Sequence, residues 1–243
     1  MSNYEFIKAV VTSENPVERL KCLLAAGWLE MFIPELHRTH TIEQNKEHHI
    51  DTVFEHCIKA CQCERTGTFV LRMAALLHDI GKASTYKADI VAICKGCGGK
   101  TVYGKCPLEK VRQFNARRCT CGHDLKVDVV NQTFYTHQIA STNEAKKVLK
   151  RLGVPKNESN IILHLIRHHM YSYSAAGRNR WKTSTVRRFI AKVGIKKEYL
   201  GDLPDFPLFV LREADRKSRG KKERTKAQKL LEKRITKVLK GDG

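Results

Sequence analysis

No stretch of this 243-residue chain approaches the run of about 20 apolar residues that a bilayer-spanning helix requires. The opening MSNYEFIKAV has no basic stretch leading into a long apolar run, so no signal peptide is expected. Together these absences predict no membrane association and a cytoplasmic setting. No internal repeat is present, which removes solenoids and other repeat arrays from consideration. Acidic residues are scarce: 25 Asp and Glu stand against 45 Lys and Arg, a formal charge of +20. Such a surplus favours anionic partners, namely RNA, DNA or nucleotides. In a reducing compartment the nine cysteines are expected as thiols or metal ligands rather than disulfides.

What is present is mostly helical. The chain is 42% hydrophobic, enough for a packed core, and long enough for one large domain or a domain with a small module. NPVERLKCLLAAGWLEMFIPEL, TVFEHCIKACQC and GTFVLRMAALLHDIGK place apolar residues at helical spacing. So do TNEAKKVLKRLGVP (with Asn143 as a cap), NESNIILHLIRHHM, KTSTVRRFIAKVG and FPLFVLREADRKSRG. Residues 94–123 break the pattern, being rich in Gly, Cys and basic residues. The expected architecture is an all-α bundle over 1–90 and 124–220, a small β module over 91–123, and a basic C-terminal helix over 221–243. That last helix carries an apolar stripe at Ala227, Leu230, Leu231, Ile235, Val238 and Leu239, suited to packing on the domain or on a partner.

The histidines and two aspartates fall at the ends or on the faces of different helices: His56, then His78–Asp79, His137, His168–His169 and Asp215. Neighbours on a helix splay by about 100°, so His78 and Asp79 cannot both point squarely inward. Both can reach an ion off the helix end if other helices complete the set. Imidazole with carboxylate suits Mn, Fe, Co, Ni or Zn, and carboxylate with water suits Mg. Such an ion lowers the pKa of bound water and offsets phosphate charge. Lys82, about one turn beyond His78, is then placed to hold a phosphate oxygen. The blander alternative is a set of capping and surface histidines.

LRMAALLHDIGK, EQNKEHHIDTVFEH, FYTHQIAS, LIRHHM, WKTSTVRRFIAKVG and LREADRKSRG resemble the HD phosphohydrolase superfamily. The likeness is to the HD domain that follows the nucleotidyltransferase head in some bacterial CCA-adding enzymes, and it covers most of residues 16–220 outside the Cys-rich segment. It implies a helical HD bundle and a phosphatase or phosphodiesterase acting on 2′,3′-cyclic phosphates, 2′-nucleotides or other nucleotides. It implies His56, His78, Asp79 and Asp215 as metal ligands, with His137 and His169 matching histidines that bind a second metal in related sites. Asp79, Lys82 and His137 are the implied catalytic residues. Ala83 and Gln138 depart from the family's usual residues. No Gly-rich turn followed by paired carboxylates is present, so CCA addition is not expected.

Cys94-x-x-Cys97 and Cys119-x-Cys121 are close thiol pairs in Gly-containing turns, the spacing of a tetrahedral structural zinc site, with Cys106 and His123 in reserve. An insert with so few apolar residues would gain its fold from zinc. Its Lys95, Lys100, Lys105, Lys110, Arg112, Arg117 and Arg118 make it basic, so it either binds a nucleic-acid strand or only braces the bundle. Cys57 and Cys61 share a helix face and read as core thiols. In RHHMYSYSAAGRNRWK, Arg178 and Arg180 are substrate-contact candidates, as is Arg219, while Trp181 reads as core. The expectation is therefore a metal-dependent phosphohydrolase of nucleotides or nucleic-acid ends, with nucleoside triphosphate hydrolysis as the rival reaction. The alternative from another class is a non-catalytic zinc-ribbon nucleic-acid binder.

Overall fold

A computed structural model describes residues 1–44, 51–114, 117–171, 182–199, 203–221 and 225–241. Four short helices open the chain: α1 (Asn3–Val11), α2 (Pro16–Ala25), α3 (Trp28–Phe32) and α4 (Pro34–His37). The central layer follows as α5 (Val53–Cys63) and α6 (Phe69–Leu77), then the short α7 (Lys82–Thr85). A three-stranded segment comes next, and α9 (His137–Leu152), α10 (Lys156–His168), α11 (Thr183–Val193), α12 (Pro207–Ser218) and α13 (Lys226–Lys240) complete the bundle.

The sequence dictates the layering. α6 is apolar nearly all round, and Met73, Ala74, Ala75, Leu76 and Leu77 are fully buried, so it runs through the centre. α5 begins at a capping box, in which Thr52 accepts from the Glu55 amide and Glu55 reaches back to the Thr52 amide. Its inner face packs on α6, α12 lies against both, and α10 and α9 close the other side. Pro207 opens α12 at a position where its missing N–H costs nothing. Burying each large apolar side chain here contributes about 1.5–3 kcal/mol.

The inserted segment is β1 (Lys87–Cys94), β2 (Lys100–Cys106), α8 (Leu108–Phe114) and β3 (Leu125–Thr133). Its sheet is antiparallel in the order β2-β1-β3, with Ile90 opposite both Tyr103 and Val129. The strands extend beyond residues 91 and 123 at both ends, so the sheet roots directly against α7 and α9. Alternate residues of β1, namely Ala88, Ile90, Ala92 and Cys94, are buried. Ile90, Cys106, Val111 and Phe114 belong to the same continuous apolar core as the bundle helices, so the base of the insert is held by burial as well as by its thiols.

One expectation changes. Asn143 is not a cap: α9 starts at His137 with Thr136 before it, because FYTH turns directly into the helix. The apolar stripe of α13 packs on α11 within the domain, with Leu231, Ile235 and Leu239 buried and Leu230 left exposed. Among the described residues no helix is long and apolar enough to cross a membrane.

Candidate metal centre

Five elements bring the histidines and aspartates together. His56 lies on the buried face of α5 beside Cys57. α6 ends at Leu77, His78 is its C-cap, and the Lys82 amide closes the following turn on the Asp79 carbonyl at 2.9 Å. His78 keeps helical backbone angles, and with the helix ending here the cluster beyond it takes up both side chains; His78 is 1% and Asp79 3% exposed. Gly81 explains the rest of HDIGK. A Cβ there would collide with the backbone of α9 at His137, Ala140 and Ser141, and the Gly81 amide donates to Ser141 Oγ at 2.9 Å. The missing side chain is what lets the first turn of α9, with His137, approach Asp79.

The Asp79 carboxylate divides the cluster. Its Oδ2 lies 3.4 Å from His56 Nε2 and 3.3 Å from His78 Nε2. Asp215 Oδ1 closes that half at 3.1 Å from His56 Nε2 and 3.7 Å from His78 Nε2. Asp79 Oδ1 faces the other way, 3.1 Å from His137 Nε2 and 3.5 Å from His169 Nε2. Two three-residue groups with metal-binding spacing result: His56, His78 and Asp79, and Asp79, His137 and His169.

The ring nitrogens are poised for cations. His78, His137 and His169 each donate from Nδ1 to a backbone carbonyl three residues back, at 2.7, 2.8 and 2.7 Å. Ser218 Oγ spends its proton on the Asp215 carbonyl at 2.6 Å and so accepts from His56 Nδ1 at 3.0 Å. With every Nδ1 committed as donor, the Nε2 lone pairs converge, His56 on His78 at 3.2 Å and His137 on His169 at 3.3 Å. Two acceptors at that distance repel unless a positive charge lies between them. Burial opposes a charged His78, but the Asp79 and Asp215 carboxylates outweigh it and raise its pKa to about 10, so a proton on its Nε2 competes for the position that a divalent ion would take. Burial likewise opposes charge on Asp79, yet His78 and Lys82 hold its carboxyl well below the usual range. His169, driven down to about 4 by burial, stays neutral and keeps its lone pair. The site demands positive charge at the points where divalent ions would sit, so these residues fit them.

Lys82 is buried, with Nζ 2.7 Å from Asp79 Oδ2 and 2.7 Å from Gln44 Oε1. Arg219 Nη2 lies 2.7 Å from Asp215 Oδ2 at a partly exposed rim. His168 turns away to pack on His164. Arg178, Arg180 and Trp181 lie outside the described residues. The sequence reading missed Ser218, Ser141 and Gln44. Ser218 carried a signal: it stands three residues beyond Asp215, on the same face of α12.

In the insert, Cys94, Cys97, Cys119 and Cys121 form one cluster whose sulfurs all lie within 4.8 Å of one another. The closest pairs are Cys94 with Cys121 at 3.3 Å and Cys97 with Cys119 at 3.8 Å. The Gly96 and Cys97 amides donate to Cys94 Sγ at 3.3 and 3.4 Å, and backbone donors of this kind bring the Cys94 pKa down to about 6. Cys106 is packed in the insert's core away from the cluster, so it is no reserve ligand; His123 Nδ1 lies 3.5 Å from Cys121 Sγ. Cys57 and Cys61 are fully buried core thiols, as their shared helix face implies.

The HD domain pattern matches residues 53–239, which include every His and Asp of the centre, the insert and α13. The chain belongs to the HD domain family, a family of metal-dependent phosphohydrolases, and the His/Asp groups above have the spacing to hold metal ions. An A-adding tRNA nucleotidyltransferase of Deinococcus radiodurans is 34% identical over 87 residues, covering 34% of this chain. The match spans 20% of that relative's length.

Proposed function

We propose that this protein hydrolyses phosphate esters of nucleotides or nucleic-acid ends, with 2′,3′-cyclic phosphates on RNA favoured, at a centre whose histidines and aspartates would hold two divalent ions. The observation that carries this reading is the division of the Asp79 carboxylate between two sets of converging imidazole lone pairs. His56, His78, Asp79 and Asp215 would hold one ion, and Asp79, His137 and His169 the other. Mn, Co, Ni or Fe suits the imidazole-rich set, and Mg remains in the test. When bound, such ions supply an acidified water and neutralise phosphate charge.

The chain's own residues do the remaining work. Ser218 and the three backbone carbonyls fix the imidazole orientations, so little reorganisation is needed when substrate arrives. Lys82 and Arg219 rest on Asp79 and Asp215 and would offer their remaining donors to phosphate oxygens. Arg178 and Arg180 are further substrate contacts in this reading. The surplus of positive charge and the tRNA-directed relative support a nucleic-acid end as substrate.

The four-cysteine cluster would hold a structural zinc. All seven basic residues of the insert, from Lys95 to Arg118, are exposed, which suits contact with a phosphate backbone. A panel of 2′,3′-cyclic nucleotides, 2′- and 3′-nucleotides, deoxynucleoside triphosphates and RNA ends, each with Mn, Co, Ni or Mg, tests the whole. Turnover of cyclic phosphates is expected. Turnover of triphosphates alone would replace the substrate class, and no hydrolysis with any metal would remove the proposal.

A further inference from the structure

A cleft of about 850 Å³ opens between the insert's sheet and the segment that precedes α5. One wall is Thr41 to Gln44; the other is α8, Tyr86 and β3 from Val127 to Gln132. Its volume falls in the range of small-ligand sites. Arg112 of α8 donates to Thr41 Oγ1 at 2.5 Å and so ties the insert to the bundle beside the cleft.

Two amide groups in this cleft are unfinished. Gln44 is 4% exposed, and its Nε2 is buried with no hydrogen-bond partner. Its orientation is set by chemistry: Oε1 accepts from Lys82 Nζ, which can only donate, so the open end is the NH2. Gln132 Nε2 meets the Tyr86 hydroxyl at 3.3 Å, leaving Oε1 buried without a partner. Buried polar groups are nearly always satisfied, so a partnerless donor and a partnerless acceptor just beneath the wall of one cleft point to a ligand. The Tyr86 ring stands nearby, edge to face with Phe134.

We infer that this cleft is a nucleobase subsite, in which Gln44 from the bundle and Gln132 from the insert read the donor and acceptor edge of the base whose phosphate lies at the metal centre. Every nucleobase presents an acceptor beside a donor on its pairing edge, the complement of these two amides. One side chain joins the cleft wall to the centre: Lys82 Nζ donates to Gln44 Oε1 and to Asp79 Oδ2, each at 2.7 Å. The insert is then part of the specificity apparatus as well as a cover. This inference rests on the nucleotide reading above and adds where the base sits.

The test is binding, read independently of turnover. Calorimetry on the purified full chain would compare the four nucleosides, their 2′,3′-cyclic phosphates and ribose 5-phosphate. At least one base-bearing ligand is expected to bind tenfold or more tightly than ribose 5-phosphate. Gln132→Leu should abolish that preference. Gln44→Glu, which keeps an acceptor for Lys82 and removes the donor, should do the same, with circular dichroism confirming the fold of each. Equal affinity for base-bearing and base-less ligands, no binding of either, or preference intact in both folded variants would overturn the inference. Nucleosides binding with the expected preference in a protein that hydrolyses no phosphate ester would instead retain the subsite and sink the enzymatic reading.

Discussion

Ser218 Oγ lies 3.0 Å from His56 Nδ1 and accepts a hydrogen bond from it, because the serine's own O–H donates to the Asp215 carbonyl. A residue from a lysine- and arginine-rich run thereby sets the tautomer of an imidazole 162 positions earlier. Ser218→Ala should leave the fold intact and lower metal affinity at the His56 half by about 10–100-fold, the usual cost of removing a ligand's supporting partner. Metal titration followed by inductively coupled plasma analysis checks this; unchanged affinity would mean that Ser218 does not orient His56.

Asp79 serves both halves, so its loss should empty both. Asp79→Ala is expected to reduce bound divalent metal at the bundle to background and hydrolysis by more than about 100-fold, since losing a supporting partner alone costs up to that much. His169→Ala should remove one equivalent and leave the other. Equal metal content in Asp79→Ala and the unaltered protein would sink the bridged centre.

Gly81→Ala drives a methyl group into the backbone of α9. Overpacking of this kind costs about 1–3 kcal/mol. The displaced element carries His137, so the stoichiometry at the bundle should fall from two ions towards one while Tm drops. A variant with normal Tm and full stoichiometry would contradict the close approach.

Glu35 and Arg151 make a two-point ion pair at 2.6 and 2.8 Å. Burial works against the Glu35 carboxylate, but the Arg151 hydrogen bonds prevail and hold its pKa below the ordinary value. The folded form thus binds this proton less readily than the unfolded chain. The pair's stabilisation is complete above the unfolded carboxyl pKa of about 4.3 and is lost as pH falls through the lower folded value. Glu35→Gln should lower stability at pH 7 by about 1 kcal/mol or less, because the Arg151 guanidinium is 36% exposed and water takes over its donors. Denaturant titrations at pH 7 and pH 3 should show the difference shrinking in acid.

Chelation or Cys97→Ser with Cys119→Ser should release one zinc from the insert. Activity on small cyclic nucleotides is expected to persist while activity on RNA ends falls. Loss of both together would mean that the zinc-bearing tip makes no strand contact separate from its support of the nucleobase cleft.

Much of the centre was legible because its ligands fall at helix ends and on helix faces, where residue type and spacing survive in one dimension. His78 and Asp79 could be placed, and the likeness of the surrounding segments supplied their partners. Ser218 and Gln44 could not, because they matter through contacts made only when α12 and the segment before α5 pack against other elements. The run around Arg216 reads as solvated by charge alone, yet Ala214, Arg216 and Ser218 are buried. The insert's cysteines marked its tip, whereas its limits depend on strand pairing from Lys87 to Thr133, which cysteine spacing does not encode.

Both feet of the inserted sheet stand on the reaction centre: β1 leaves just after the turn holding Asp79 and Lys82, and β3 re-enters just before His137. A strand of RNA pulling on the exposed β2 face would therefore lever against the very imidazole and carboxylate that define the second half of the centre. Grip at the periphery and alignment at the core become one mechanical variable, so a cargo held askew would be felt as a mis-set catalyst.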